Sequence, residues 1–332
     1  MNQHTPGKQV STGTRNELEN LRWKPMWTSH LGCLKGCLDY LKIDVSEAWL
    51  FGATGHAFIL NIHEVVCPSG PTAWRTEKLR ELAGNIGCEI DRVCGHKSQT
   101  DFAQKQELAW EKAREAIDAG LPCYGWGLEI PEYYVVYGYD DLGYYYSGPS
   151  CDTGKGLRPW QELGDTEIGV VEMCVVKPGE PATDNQTVKE ALEFVLEHAT
   201  SPKQWIFPKY KAGLAGYDLW IHALEAGKAH GMGMAYNAAV WSECRRFGCS
   251  FLCEAIKRLS KDLRPLFGQA MQHYDAVTDI LEYIADAFPF EGRDLNRDQD
   301  ADLRRTAAEY LTDARNAEAA GLEVLERIVT EL

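Results

Sequence analysis

The chain has 332 residues, 45% of them hydrophobic, and a formal net charge of −15. That length suits one large or two ordinary domains, and the acidic balance speaks against nucleic acid, whose phosphates require clustered Lys and Arg. The same charge would be repelled by an anionic membrane surface, and no stretch approaches the ~20 apolar residues of a membrane-spanning helix.

In chain order, the first twenty residues are polar and are expected to be loosely attached. "GCLKGCLDYLKI" then places Cys33, Leu34, Cys37, Leu38 and Leu41 along one stripe of a helix. Ser46 signals a second helix start in "SEAWLFGATGHAFILNI", which passes through a glycine turn into an apolar run expected to be a strand opened by His56. "TAWRTEKLRELAGNIG" is amphipathic and is closed by Gly84 or Gly87, and "CEIDRVCG" is a short strand. Residues 101–120 form a helix, with Asp101 as its cap and Gly120 at its end.

The pattern changes at "LPCYGWGLE", "EYYVVYGYDD" and "GYYYSGP", three β-rich runs separated by turns, with a further strand over 167–176. Helices followed by an antiparallel sheet predict an α+β domain over residues 20–178. "KPGEPATDNQ" is the linker, and five long amphipathic segments predict an α-helical bundle over residues 186–332. Long amphipathic helices of this kind are compatible with a homodimer.

Eleven cysteines without a CxxC pair, after an N-terminus with no apolar signal core, predict reduced thiols in a cytoplasmic protein. There is no Walker A loop, GxGxxG, HExxH or GxSxG, so no cofactor or metal is expected. The candidate chemistry lies elsewhere. Cys33 would sit in the first turn of its helix if that helix began near His30 or Leu31, and the dipole would there favour a thiolate. Cys37 follows one turn deeper. His56 is a polar residue within an apolar run and a candidate general base. Glu132 stands beside two tyrosines, where a carboxylate can serve in proton transfer, and Glu129 is similar. His63 and Cys67 would share a face if "HEVVC" were helical. Asn237, Glu243, Arg245 and Arg246 are polar residues on an otherwise apolar helix, with Glu243 and Arg246 spaced as an ordinary ion pair.

Three pieces, "GCLKGCLDYLKI", "VSEAWLFGATGHAF" and "GLPCYGWGLEIPEYYVVYGYDDLGYYYSGP", together resemble a papain-like fold in its bacteriocin-leader-peptidase (C39-like) form. The closer likeness is to the butirosin-biosynthesis BtrH N-terminal family, over residues 25–175. The resemblance implies a nucleophile at a helix N-terminus eleven residues before Tyr40, a position that Ser29 occupies. It implies a catalytic His six residues before Gly138, where this chain has Glu132, and a closing Asp where Gly148 precedes Pro149. It further implies acyl or amide transfer, as an acyltransferase or amidase, on a small-molecule or peptide substrate. Cys33 would be the nucleophile, one turn beyond Ser29, with His56 as base and Glu132 orienting it. The alternative is a catalytically inactive relative that binds a ligand or peptide in the same cleft.

Overall fold

The computed structural model describes residues 15–229, 231–291 and 297–332. The chain divides into two compact units: residues 15–44 with Ile90–Pro178, and Val45–Glu89 with Gly179–Leu332. One boundary lies at Pro178, beside the sequence expected to be a linker. The expected contiguous domain over 20–178 is divided, because residues 45–89 pack within the helical unit.

The first unit opens with β1 (Asn16–Glu17), which pairs antiparallel with β5 (Tyr133–Tyr139) through Asn16 opposite Tyr139 and Glu17 opposite Gly138. The end of the polar leader is thus tied into a sheet, and the remainder of that expectation, residues 1–14, lies outside the described residues. α1 (Ser29–Tyr40) follows, with Leu31, Cys33, Leu34, Cys37 and Leu38 fully buried. Its glycines do specific work. A Cβ on Gly36 would stand 2.1 Å from the Arg22 carbonyl oxygen, and one on Gly32 would stand 2.4 Å from that of Lys24. The incoming chain therefore lies directly on the helix, held by the Lys24 N–H donating to the Gly32 carbonyl. Gly36→Ala is expected to push this segment away and destabilise the unit by about 1–3 kcal/mol, read as a lower urea midpoint with an unchanged slope.

β3 (Cys88–His96) and α4 (Phe102–Asp118) come next, then β4 (Cys123–Trp126), β5, β6 (Gly143–Gly148), β7 (Cys151–Pro159) and β8 (Val170–Pro178). The sheet order is β3-β8-β4-β5-β6-β7, with β1 added at the end of β5. The pairs β4–β5, β4–β8, β5–β6 and β6–β7 are antiparallel. α1 packs on β4 and β5, and α4 packs on β4, β5 and β8. The mixed α+β architecture with an antiparallel sheet is as expected. β7 was not expected from its Gly-rich, polar sequence.

In the second unit, the side chain of Ser46 accepts from the Trp49 N–H and caps α2 (Glu47–Ala53). The chain then turns rather than extending. Gly55 has φ +73°, the Ala57 N–H donates to the Phe51 carbonyl, and the Phe58 N–H donates to that of Gly55. His56 therefore sits in a turn, and β2 begins only at Asn61 (Asn61–His63). Residues 64 and 65 turn and 66 and 67 are irregular, so His63 and Cys67 do not share a helix face. α3 (Glu77–Ala83), α5 (Asp184–Thr200), α6 (Gly213–Glu225), α7 (Gly231–Arg258), α8 (Arg264–Ala287) and α9 (Ala301–Glu331) complete the helices. β9 (Tyr210–Ala212), an interruption of the expected all-helical half, pairs antiparallel with β2. α2 packs on α7 and α6 on β2, which explains why residues 45–89 belong here. Among the described residues, no helix is long and apolar enough to cross a membrane.

The second unit is centred on a charge pair. Arg245 on α7 donates through Nε and Nη2 to both carboxylate oxygens of Glu318 on α9, each at 2.9 Å. Its Nη1 donates to the carbonyls of Ala57 and Ile59, each at 3.0 Å, and the Tyr217 hydroxyl donates to Glu318 at 3.1 Å. The two charged side chains are 0% and 2% exposed. This arrangement connects α6, α7, α9 and the turn after α2.

Candidate functional site

Within the first unit, the N-terminus of α1 meets the start of β5. Thr28 is the N-cap residue, and its side chain makes no capping hydrogen bond. Ser29 occupies the first helical position, where backbone N–H groups have no acceptor inside the helix. Its hydroxyl donates to Glu132 Oε2 and accepts the Tyr133 N–H at 3.1 Å. Two residues 103 positions apart in sequence are thereby in direct contact. Glu132 owes its place to a short loop, in which the Gly127 N–H donates to the Glu132 carbonyl and the Glu132 N–H donates to that of Ile130. Gly127 has φ +72°, which lets the loop close without strain.

The surrounding side chains fix this contact from behind. The His30 ring stacks on Tyr133 with centroids 4.1 Å apart, and its Nε2 shares a 3.0 Å hydrogen bond with the Tyr124 hydroxyl. The Tyr133 hydroxyl donates to Glu172 Oε2 at 3.4 Å, and Arg92 Nε donates to Glu172 Oε1 at 2.7 Å. Burial pushes the Tyr124 phenol well above its ordinary range, with Cys174, Tyr133 and Glu172 adding to the shift, so the hydroxyl keeps its proton. At the outer side, Lys155 pairs with Glu129, which lies on the same loop as Glu132.

Cys33 does not have the environment of an activated thiol. α1 begins at Ser29, so Cys33 is its fifth residue, and the Gly32 N–H before it already donates to the Thr28 carbonyl. The free N–H groups and their field act within the first turn only. The thiol is fully buried, and burial pushes its pKa well above the usual value, with Glu132 and Cys174 raising it further. Cys88 and Cys123 are likewise pushed up to about 12 by burial. All eleven cysteines are free thiols. Native protein treated with iodoacetamide at neutral pH is therefore expected to leave Cys33 unmodified, while denatured protein is modified there. Rapid native labelling of Cys33 would contradict this placement.

His56 belongs to the second unit, and its ring contacts, Phe51, Trp74 and Trp241, all lie there. Burial, then His198 and Arg245, lower its pKa to about 3, so the ring is neutral. Of the expected grouping of Ser29, Cys33, His56 and Glu132, the first and last touch, Cys33 is buried along the same helix as Ser29, and His56 belongs to the second unit. Sequence reasoning did not single out Tyr124, Tyr133 and Glu172. The alternation of "EYYVVYGY" places Tyr133 on a strand, but its hydroxyl partner is 39 positions away. Arg245, expected beside the Glu243–Arg246 pair, is instead the buried partner of Glu318. Among the described residues, no group of three or more His, Cys, Asp or Glu side chains could hold a metal ion. No protein-family model matches the chain, and no curated protein sequence matches it.

Proposed function

We propose that residues 15–44 and Ile90–Pro178 form a papain-like unit of the BtrH-like kind that transfers acyl groups to an amine of a small molecule or peptide, with Ser29 in place of a thiol nucleophile. The observation that carries this reading is the contact between the Ser29 hydroxyl and the Glu132 carboxylate. These are the two positions that the resemblance assigns to nucleophile and base. In the first step Glu132 takes the Ser29 proton as Oγ bonds to the substrate carbonyl carbon. The carbonyl π bond opens to an oxyanion, which the N-terminal field of α1 stabilises. Collapse re-forms the carbonyl and expels the leaving group, which recovers the proton from Glu132. An amine then attacks the acyl-serine and loses its proton to Glu132, and collapse of the second tetrahedral intermediate expels Ser29 Oγ, which takes that proton back and restores the Glu132 carboxylate. Water in place of the amine gives hydrolysis.

A second reading, ligand binding without chemistry, is favoured by one observation: Ser29 is 2% exposed, and its hydroxyl both donates and accepts within the unit. Burst kinetics with p-nitrophenyl acetate separate the two. The acyl-transfer reading predicts a burst that Ser29→Ala abolishes, that Glu132→Gln slows by about 10²–10⁴-fold and that Cys33→Ser leaves intact. Absence of a burst, or one unchanged in Ser29→Ala, supports binding alone.

A further inference from the structure

A second polar locus lies in the other unit and takes no part in the chemistry above. His56 and His198 are 2% and 0% exposed and flank one indole, with ring centroids 5.7 Å and 5.9 Å from that of Trp74. Neither ring nitrogen of either histidine has a hydrogen-bond partner among the described residues. Asn61 adds to the pattern. Its Nδ2 donates to the Gly70 and Ala73 carbonyls, the latter next to Trp74, and its buried Oδ1 accepts nothing. Among the described residues, five of the ten buried side-chain polar atoms without a partner belong to these three residues. Buried polar groups in folded proteins are nearly always satisfied, and a local cluster of exceptions points to a bound species.

We infer that His56 and His198 form an internal site in the second unit for a small uncharged molecule that both donates and accepts hydrogen bonds. A neutral imidazole presents one N–H donor and one nitrogen acceptor, so the pair offers two of each. Arg245 lowers the pKa of both rings, so the local field is unfavourable to a cation. Burial first, and Arg245 after it, lowers the pKa of both rings to about 3, so they stay neutral and offer an anion no counter-charge. An uncharged guest is what remains. Water is its smallest form, and a small alcohol or amide has the same hydrogen-bonding chemistry and could also lie against the Trp74 face.

A crystal structure of the full chain that resolves ordered water tests this directly. The expected result is density outside the protein within ~2.7–3.2 Å of a ring nitrogen of both His56 and His198. Single-atom peaks identify water. Extended density, with an added mass that stays on the natively sprayed protein and leaves on denaturation, identifies an organic molecule. Ring nitrogens that face only carbon, or that rotate to bond protein atoms, overturn the inference.

Discussion

Arg245→Ala is expected to destabilise the protein by about 3–5 kcal/mol, because it leaves the buried Glu318 carboxylate without its cation. The substitution also removes the donors to the Ala57 and Ile59 carbonyls and opens a void among α6, α7 and α9. For a unit of this size the loss corresponds to a melting temperature lower by on the order of 10 °C. A double substitution, Arg245→Met with Glu318→Leu, removes both charges and is expected to recover part of the loss, since well-packed apolar residues often replace a buried ion pair without net cost. Recovery is incomplete because the two carbonyls still lack donors. Thermal melts of the two variants check this, and an Arg245→Ala protein within 1 °C of wild type would contradict the central place given to the pair.

Acidification is expected to unfold the second unit well before its carboxylates are fully protonated. His56 and His198 are held neutral, with pKa values lowered to about 3, first by burial and then, for His56, by His198 and Arg245, and for His198 by Arg245. The unfolded chain takes up both protons below a pKa of about 6.5. Stability is therefore fully present above that pH and falls as the pH drops toward 3, because the unfolded state binds more protons throughout the interval. The limiting slope for two rings is ~2.7 kcal/mol per pH unit, and the full interval amounts to on the order of 5 kcal/mol per ring. Together these rival the ~5–15 kcal/mol stability of an ordinary domain. Urea midpoints measured between pH 6.5 and 5, where carboxylates are still ionised, isolate the effect. Midpoints that stay level across that range contradict the assignment of two buried neutral rings, and His198→Gln is expected to reduce the slope.

Much of the architecture was legible in the sequence where periodicity was long and strong. Residues 101–120, the tyrosine-rich strands and the five C-terminal segments each repeat a helix or strand pattern over many residues, and each forms the expected element. The unexpected elements are short or polar. β1 and β9 span two and three residues, too few for a period, and β7 alternates poorly because it is an end strand with much of its length exposed. "GHAFILNI" reads as a strand because it is apolar, yet its first residues turn and are buried by tertiary packing on α7, which local pattern cannot supply. For the same reason residues 45–89 fall in a unit otherwise formed by chain from 179 onward. Arg245 and Glu318, 73 residues apart, carry no local signal of their pairing.

The site shows the same division. Counting from Tyr40 and from Gly138 picks out Ser29 and Glu132 as corresponding positions, and in the structure these two side chains touch. The placement of Cys33 turns on one residue of helix phase: a start at Ser29 sets the thiol beyond the first turn and in the core. The Tyr133–Glu172–Arg92 chain behind the site depends on three separate strands of the sheet, and no spacing in the sequence reveals it.

The most direct measurement is to identify the residue that carries the acyl group. After brief treatment with p-nitrophenyl acetate, acid quench and digestion, fragment masses of the peptide spanning α1 should place one acetyl group on Ser29, with Glu132→Gln lowering its yield and Cys33→Ser leaving it unchanged. An acetyl group on Cys33, or a peptide that remains unmodified while the reagent is consumed elsewhere, would contradict the account.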